Sequence, residues 1–161
     1  MVVGIHPGAG HRIRYWGLDR FAAVANAVAA KFPVRFLSFA QPDGYGSDLC
    51  ALMDCDVTSP DLGLMMALLE KCDLLLCNDG GPMHIAAGVG TPVVAVFGPT
   101  EPLWWGPYGP NHKVVMLDGF PCRPCGDRCK FDKPYCLTNL NVELVVAAME
   151  EQLNRLKDNH G

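Results

Sequence analysis

Three kinds of segment are missing from the 161-residue sequence. No apolar run approaches the ~20 residues that cross a bilayer, and the amino terminus lacks the charged-then-apolar layout of a signal peptide. The 13 Lys and Arg residues are scattered without forming a basic stripe, and the formal net charge is −4. We therefore expect a cytoplasmic protein with no transmembrane segment and no nucleic-acid partner.

Several catalytic signatures are absent as well. The sequence contains no Walker-type Gly-Lys-Ser/Thr loop, which argues against a nucleotide triphosphatase. No Ser–His–acid or Cys–His set indicates nucleophilic catalysis, and there is no internal repeat or low-complexity segment. The clues to function therefore come from the loops between the regular elements.

Strand and helix patterns alternate along the whole chain. The predicted strands are apolar along their whole length rather than at every second residue, which is typical of a parallel sheet covered on both faces. They span residues 2–5, 34–39, 73–77, 93–97 and 113–117, while residues 48–56 fit a short helix and a weak strand. With 161 residues, half of them apolar, the sequence predicts one doubly wound, Rossmann-like α/β domain over residues 1–161.

Two helix boundaries follow from capping residues. Ser59-Pro60 predicts a helix start, because serine caps well and proline fits the first helical position. The predicted apolar face of that helix is Leu62, Met65, Met66 and Leu69.

A last helix, capped by Asn141, is predicted over about 142–157. Its predicted buried side is Leu144, Val145, Ala148, Met149 and Leu153.

The most informative segment follows the predicted strand at 73–77. It runs Asn78-Asp79-Gly80-Gly81-Pro82-Met83-His84 and continues into a helix of small residues. Paired glycines let the backbone approach an anion, and the first turn of a helix offers unpaired N–H groups. Because open α/β sheets bind ligands at the carboxyl ends of their strands, we interpret Asp79, Gly80, Gly81 and His84 as ligand-binding residues. The alternative for His84 is a structural hydrogen bond.

The loop after the first predicted strand is a second candidate. It contains Gly8-Ala9-Gly10 and, further on, Arg14. Two glycines and a planar guanidinium suit a diphosphate. The full dinucleotide-binding fingerprint is missing, so an ordinary strand–helix turn is the alternative.

A third loop, residues 97–102, supplies one hydroxyl group from Thr100. It follows the strand predicted at 93–97 and is expected to lie beside the loop that carries Asp79. The aromatic residues after it, Trp104, Trp105 and Tyr108, are interpreted as a hydrophobic lid packed on the domain, in preference to a sugar-stacking platform.

Four of the eight cysteines cluster in a loop at 120–137, and the other four are dispersed. The clustered residues are Cys122, Cys125, Cys129 and Cys136. Four thiolates within 15 residues have the number of ligands that a structural zinc ion or an iron–sulfur cluster requires. A reducing compartment favours a metal over disulfides, while two disulfides or four free thiols remain the alternatives. No catalytic metal is expected, because all four ligand positions would be filled.

Taken together, these loops resemble the carboxyl-terminal half of the glycosyltransferase family 9 enzymes, the ADP-heptose:lipopolysaccharide heptosyltransferases. The family pattern has a His-Pro-Gly-Ala loop, a basic residue two before a tryptophan, Asn-Asp-(Thr/Ser)-Gly-Pro-Met-His, and Gly-Thr-Pro-Val-Val leading to Phe-Gly-Pro-Thr. The matching segments here are His6–Ala9, Arg14–Trp16, Asn78–Ala87, Gly90–Thr100 and Trp105–Gly109. The chain departs from the pattern at Arg14, where lysine is usual, and at Gly80, where threonine or serine is common.

The resemblance implies one half of a two-domain GT-B glycosyltransferase, the half that binds a nucleotide-sugar donor such as ADP-heptose. By motif position, contacts to the diphosphate and sugar are expected from Gly8, Ala9, Gly10, Arg14, Asp79, Gly80, Gly81, His84 and Thr100. Adenosine is expected at the loop from Gln41 to Gly44, which includes Asp43. No catalytic cofactor is implied, and Arg14 would stabilise the charge of the leaving diphosphate.

A complete enzyme of this family also has an N-terminal domain that binds the lipid A-core acceptor and supplies the catalytic carboxylate. We expect that domain to be absent here, no catalytic base in this chain, and no transfer activity of the chain alone. The expected location is the cytoplasm, with peripheral association at the inner face of the bacterial inner membrane as a further expectation. Two other interpretations are a non-catalytic nucleotide-binding module or partner subunit and a metal-stapled interaction domain.

Overall fold

The computed structural model describes residues 1–160 and is built on one six-stranded sheet. The strands are β1 (Val2–His6), β2 (Arg35–Phe39), β3 (Asp56–Thr58), β4 (Leu74–Asn78), β5 (Val93–Val96) and β6 (Lys113–Val115). All neighbouring strands are parallel, in the order β3-β2-β1-β4-β5-β6. This is the Rossmann order, in which the progression of strands reverses between β1 and β4. The carboxyl ends of β1 and β4 therefore flank the crevice where such sheets bind ligands.

Residues 1–160 also form six α-helices and two 3₁₀ turns, and the last two of these helices follow the last strand. The helices are α1 (Leu18–Ala29), α2 (Leu62–Glu70), α3 (Gly81–Gly88), α4 (Pro102–Trp105), α5 (Tyr135–Thr138) and α6 (Val142–His160). The 3₁₀ turns are Arg12–Arg14 and Ser47–Ala51. Within residues 1–160, no helix is both long enough and apolar enough to span a membrane.

Helices cover both faces of the sheet. α1 and α6 pack on one face, against residues that include Leu74 and Leu76 of β4. α2 and α3 cover the other face, against residues that include Leu75 and Cys77 of the same strand. Because successive side chains of a strand point to opposite faces, β4 must be apolar at every position to fill both layers. The predicted doubly wound α/β fold is confirmed.

The edge of the sheet at β3 carries a disulfide. It joins Cys50, in the 3₁₀ turn, to Cys55, directly before the strand, with a Cα–Cα distance of 5.3 Å. Both residues are among the four dispersed cysteines. From the sequence we expect a reducing compartment and predict no disulfide between them. The bond closes a short ring that ties the 3₁₀ turn to the edge strand.

The predicted start of α2 is wrong by two residues. The cap is Asp61, whose Oδ1 accepts a hydrogen bond of 2.8 Å from the backbone N–H of Leu64, so Ser59 and Pro60 lie outside the helix. The buried face of α2 is also narrower than the spacing of its apolar residues predicts. Leu69 is fully buried, whereas Leu62 and Met66 are exposed.

The carboxyl-terminal helix α6 begins at the predicted residue and ends at residue 160 rather than 157, but of its predicted core residues Ala148 is only partly buried and Leu144 is exposed. Val145, Met149 and Leu153 are completely buried and line the side of the helix that faces α1 and the sheet. Leu144 is 47% exposed. One residue corresponds to a rotation of about 100° around a helix, which carries Leu144 away from the stripe centred on Val145.

The two leucines of α6 provide a matched test of this core. We expect Leu153→Ala to lower the free energy of unfolding by about 2–5 kcal/mol, because it leaves a cavity in a packed interior. Leu144→Ala, the same change on the exposed side of the helix, should cost about 1 kcal/mol or less. Urea denaturation of both variants measures the difference. Equal losses would contradict the orientation of α6.

Candidate functional site

The loops that follow β1 and β4 are joined by the buried side chain of Asn78. Its Nδ2 donates a hydrogen bond to the carbonyl oxygen of Pro7, and its Oδ1 accepts one of 3.3 Å from the backbone N–H of Trp16. The amide of Asn78 therefore holds both ends of the segment 7–16, which contains the glycines and Arg14. This role was not predicted, although Asn78 belongs to the motif that drew attention to the site.

The next residue, Asp79, connects three loops through its carboxylate. Oδ2 accepts a hydrogen bond of 2.6 Å from the hydroxyl of Thr100 and lies 3.4 Å from Nη1 of Arg14. Asp79 and Thr100 are each 3% exposed, whereas the guanidinium of Arg14 reaches partly to solvent. The three predicted residues therefore meet at the carboxyl ends of the strands, with the cation on the solvent side.

A second carboxylate, that of Asp127, also binds the guanidinium of Arg14. Its Oδ1 accepts hydrogen bonds of 3.0 Å from Nε and 2.7 Å from Nη2 of the guanidinium. Asp127 belongs to the cysteine-containing loop and lies 113 residues from Arg14 in the sequence. No local pattern links two residues so far apart, so sequence reasoning had no signal for this contact.

The glycines in the loops that follow β1 and β4 have different surroundings. A side chain at Gly8 would collide with the side chain of Gln41, whose Nε2 donates to the carbonyl oxygen of Ala9 at 3.2 Å. Gly80 packs near Ala9, since a Cβ there would lie 3.6 Å from the Cα of that residue. Gly10 and Gly81, in contrast, face open space. Only Gly8 is therefore required for the loops to pack together, because a Cβ at Gly80 would make an ordinary contact, and the backbone at Gly10 and Gly81 is open.

A cavity of about 290 Å³ opens beside these glycines. It lies at the carboxyl ends of β1 and β2, on the face of the sheet that α2 and α3 cover. Its lining residues are His6, Ala9, Gly10, Ala40, Gln41, Pro42, Pro60, Met65, Gly81 and Pro82. The lining is mostly apolar with a few polar groups, which is typical of sites for small organic ligands.

Two predicted site residues lie outside this arrangement. Asp43 is exposed in a turn, where its Oδ1 accepts a hydrogen bond of 3.0 Å from the backbone N–H of Tyr45, and it does not line the cavity. His84 is exposed on α3, beyond the glycine pair, and does not line the cavity either. Gln41 does line it, but its amide is also bound to the hydroxyl of Tyr15 at 2.9 Å.

The aromatic segment after β5 is not packed on the domain. Trp104 is 70% exposed and Tyr108 is 93% exposed, and Trp105 and Leu103 are exposed as well. The prediction of a hydrophobic lid is therefore wrong in this structure. The four residues form an apolar surface next to the loop that carries Thr100, and we call it the α4 surface.

The cysteine-containing loop does not form the predicted metal site. Within the described chain, no group of three or more His, Cys, Asp or Glu side chains is arranged to hold a metal ion. Cys122, Cys125, Cys129 and Cys136 are free thiols. Burial, followed by the neighbouring thiols, raises the pKa of Cys125 above its ordinary value.

Two arginines connect this loop to the rest of the domain by hydrogen bonds. Arg123 donates from Nε to the carbonyl oxygen of Gly98 at 2.8 Å. Arg20 of α1 donates to the carbonyl oxygens of Leu137 and Thr138, at 2.7 and 2.6 Å. A guanidinium can bridge two acceptors at once, so these contacts tie both ends of the loop to the domain.

The sequence is similar to a known protein family. The sequence model of glycosyltransferase family 9 (heptosyltransferase) matches residues 1–136. Lipooligosaccharide heptosyltransferase 2 of Campylobacter jejuni is 38% identical over 91 residues, which is 55% of this chain and 27% of that protein. Lipopolysaccharide heptosyltransferase 3 of Escherichia coli is 28% identical over 162 residues, which is 94% of this chain and 46% of that protein.

The same relationship is seen among solved structures. The structure of E. coli ADP-heptose lps heptosyltransferase II superposes with a TM-score of 0.80 at 20% identity, covering 99% of this chain and 47% of that one. At this level of identity the likeness supports the fold. The chain therefore spans about half the length, or less, of the relatives that it matches.

One titratable group at the site predicts a pH dependence. Burial lowers the pKa of His6 from its ordinary value of 6.5 to about 4, and backbone hydrogen bonds at Gly8 and His6 oppose the shift only in part. Between these values the unfolded chain binds a proton that the folded chain does not, so stability falls as the pH decreases. We expect His6 to account for a loss of up to about 3 kcal/mol between pH 7 and pH 4.

The measurement is the unfolding free energy of the wild type and of His6→Gln in urea at pH 7, 5.5 and 4.5. Other groups titrate in both proteins, so the comparison isolates the contribution of His6. The variant should show the shallower pH dependence. Parallel curves for the two proteins would contradict a neutral, buried His6.

Proposed function

This chain belongs to glycosyltransferase family 9, and we propose that it is the half of a glycosyltransferase that binds the nucleotide-sugar donor. The observation that carries the proposal is the meeting of Arg14, Asp79 and Thr100 at the carboxyl ends of three strands. The proposed donor is ADP-heptose, and the proposed process is synthesis of the lipopolysaccharide core. The names of the relatives support both choices.

The diphosphate of the donor is proposed to lie between the loops of β1 and β4. Gly10 and Gly81 expose backbone there, and Gly81 is the first residue of α3, whose amino-terminal N–H groups and dipole favour an anion. Arg14 adds a full positive charge at the same place. The nucleoside is proposed to occupy the adjacent cavity of about 290 Å³.

Arg14 is proposed to exchange one anion for another when the donor binds. The carboxylates of Asp79 and Asp127 accept three hydrogen bonds from Arg14 and so occupy three of its five N–H donors. Asp79 is buried and fixed by Thr100, whereas the side chain of Asp127 is half exposed. The diphosphate would therefore take the place of Asp127 and leave the contact with Asp79 intact.

The chemistry proposed for the whole enzyme is attack by an acceptor hydroxyl on the anomeric carbon of the donor sugar. A carboxylate base outside this chain would accept the proton of the hydroxyl. The nucleoside diphosphate would leave as an anion, which Arg14 and the exposed backbone N–H groups stabilise electrostatically. The proposal assigns no catalytic cofactor and no catalytic base to the present residues.

A complementary domain, in cis or in trans, is proposed to complete the enzyme and to bind the lipid A-core acceptor. The chain spans about half the length of its relatives, which supports a second half of similar size. The α4 surface supports the same proposal, because exposed aromatic residues at the rim of a site are typical of surfaces that another domain covers. The proposed location is the cytoplasm, at or near the inner face of the inner membrane.

The role of Arg14 can be tested with nucleotides alone. We expect Arg14→Ala to weaken ADP binding about 10- to 100-fold, because a hydrogen bond to a charged group contributes roughly 1.5–3 kcal/mol. The ADP affinity of Arg14→Lys should lie between those of the wild type and Arg14→Ala, since lysine keeps the charge and loses the planar fork. Isothermal titration calorimetry gives the affinities.

Arg12→Ala is the matched control for this experiment. It removes the same charge from the same 3₁₀ turn, but Arg12 is exposed and lies outside the network around Asp79. Its ADP affinity should stay within about threefold of the wild type. An Arg14→Ala variant that binds ADP as the wild type does would remove Arg14 from the site. Titration with UDP and GDP identifies the preferred nucleotide, which should be ADP.

The chain alone is expected to bind the donor without transferring its sugar. With ADP-heptose and a lipid A–Kdo acceptor, release of ADP should stay at the buffer level. Adding the complementary half of a family 9 enzyme, as a fusion or as a second chain, should restore turnover. Turnover by the isolated chain would overturn the assignment. ADP binding with no turnover in any combination would favour a non-catalytic nucleotide-binding module.

A further inference from the structure

His6 is a buried histidine that lines the cavity proposed for the nucleoside. It is the last residue of β1 and is 5% exposed. In register it lies beside Cys77 of β4, on the sheet face covered by α2 and α3. The side chain therefore reaches the cavity from within the sheet, where its position is fixed by the strand.

One nitrogen of this side chain is unsatisfied. Nδ1 of His6 is buried and has no hydrogen-bond partner within the described part of the chain. Buried polar atoms in folded proteins are nearly always paired, because an unpaired one has lost its hydrogen bond to water without replacing it. The side chain that carries this atom lines an open cavity, which points to a ligand that supplies the missing partner.

The rest of the lining does not offer an equivalent group. Gln41 already bonds the carbonyl oxygen of Ala9 and the hydroxyl of Tyr15. The other lining side chains are apolar, and they include Pro42 and Met65, which present flat or deformable surfaces to a ring. Among the described lining residues, His6 is therefore the side chain with hydrogen-bonding capacity still free.

We infer that His6 recognises the nucleoside of the donor through a hydrogen bond from its buried imidazole. This inference rests on the proposed function and adds a residue that the sequence motifs did not single out for binding. A neutral imidazole carries one donor and one acceptor nitrogen, so it can pair with a base edge or with a ribose hydroxyl. The low pKa of His6 keeps the ring neutral at physiological pH.

The test compares ADP with inorganic pyrophosphate, which lacks the nucleoside. His6→Phe keeps the approximate shape of the ring and removes both nitrogens. We expect it to weaken ADP binding about tenfold or more while changing pyrophosphate affinity by less than about threefold. His6→Asn, whose amide places a polar atom near the position of Nδ1, should recover part of the ADP affinity.

UDP separates the two parts of the nucleoside. A larger loss for ADP than for UDP in His6→Phe means that the base is recognised, and equal losses mean that the ribose is recognised. Cys77→Ala is the control, because Cys77 is buried beside His6 but does not line the cavity. It should leave all three affinities near those of the wild type.

Unchanged ADP affinity in His6→Phe would overturn the inference, as would equal losses for ADP and pyrophosphate. Failure of the wild type to bind either ligand would instead refute the proposed function. If the variants do not fold, ¹⁵N NMR of the wild-type imidazole answers the same question. The Nδ1 resonance of His6 should move on addition of ADP and not of pyrophosphate; no movement with ADP would count against the hydrogen bond.

Discussion

The site depends on the hydrogen bonds of two adjacent buried side chains, Asn78 and Asp79. A parallel sheet aligns the ends of its strands, but it does not hold the loops that follow them. Asn78 fixes the β1 loop at Pro7 and Trp16, and Asp79 fixes Arg14 and Thr100. Two adjacent side chains at the end of one strand thereby bring together loops from three strands. Substitution of either would leave buried partners unpaired, so the site and the local fold are not separable.

The charge of Asp79 also sets the electrostatics of the site. A buried carboxylate is stable only when it is paired and hydrogen-bonded, and here Thr100 and Arg14 provide both. Nη1 of Arg14 pairs with Asp79, and Nε and Nη2 pair with Asp127 on the side of the guanidinium toward solvent. Asp79 thus holds in place the guanidinium that is proposed to meet a diphosphate. A charge that is already oriented favours binding, because its contact with Asp79 need not be rearranged.

The parts of the structure that follow from short-range patterns could be predicted from the sequence. The central strands β1, β4 and β5 are continuous apolar runs, and the glycine loops after them mark the ends where the site lies. Features that depend on distant contacts could not. The pairing of Arg14 with Asp127 spans 113 residues, and Arg20 binds the end of a loop whose four cysteines had predicted a metal site. Leu144 and Leu62 show a milder failure, since helical spacing predicts an apolar face but not how wide a stripe the neighbours cover.

The cysteine-containing loop is part of the site rather than an appendage to it. The backbone N–H of Cys125 donates to the carbonyl oxygen of Pro99, one residue before Thr100, and Arg123 holds Gly98. Asp127 extends from the same loop to Arg14. The loop therefore binds the loop that follows β5 and supplies a carboxylate that pairs with Arg14. Asp127 lies two residues after Cys125, so the proposed displacement of Asp127 by a diphosphate would act on the segment that binds Pro99, next to Thr100.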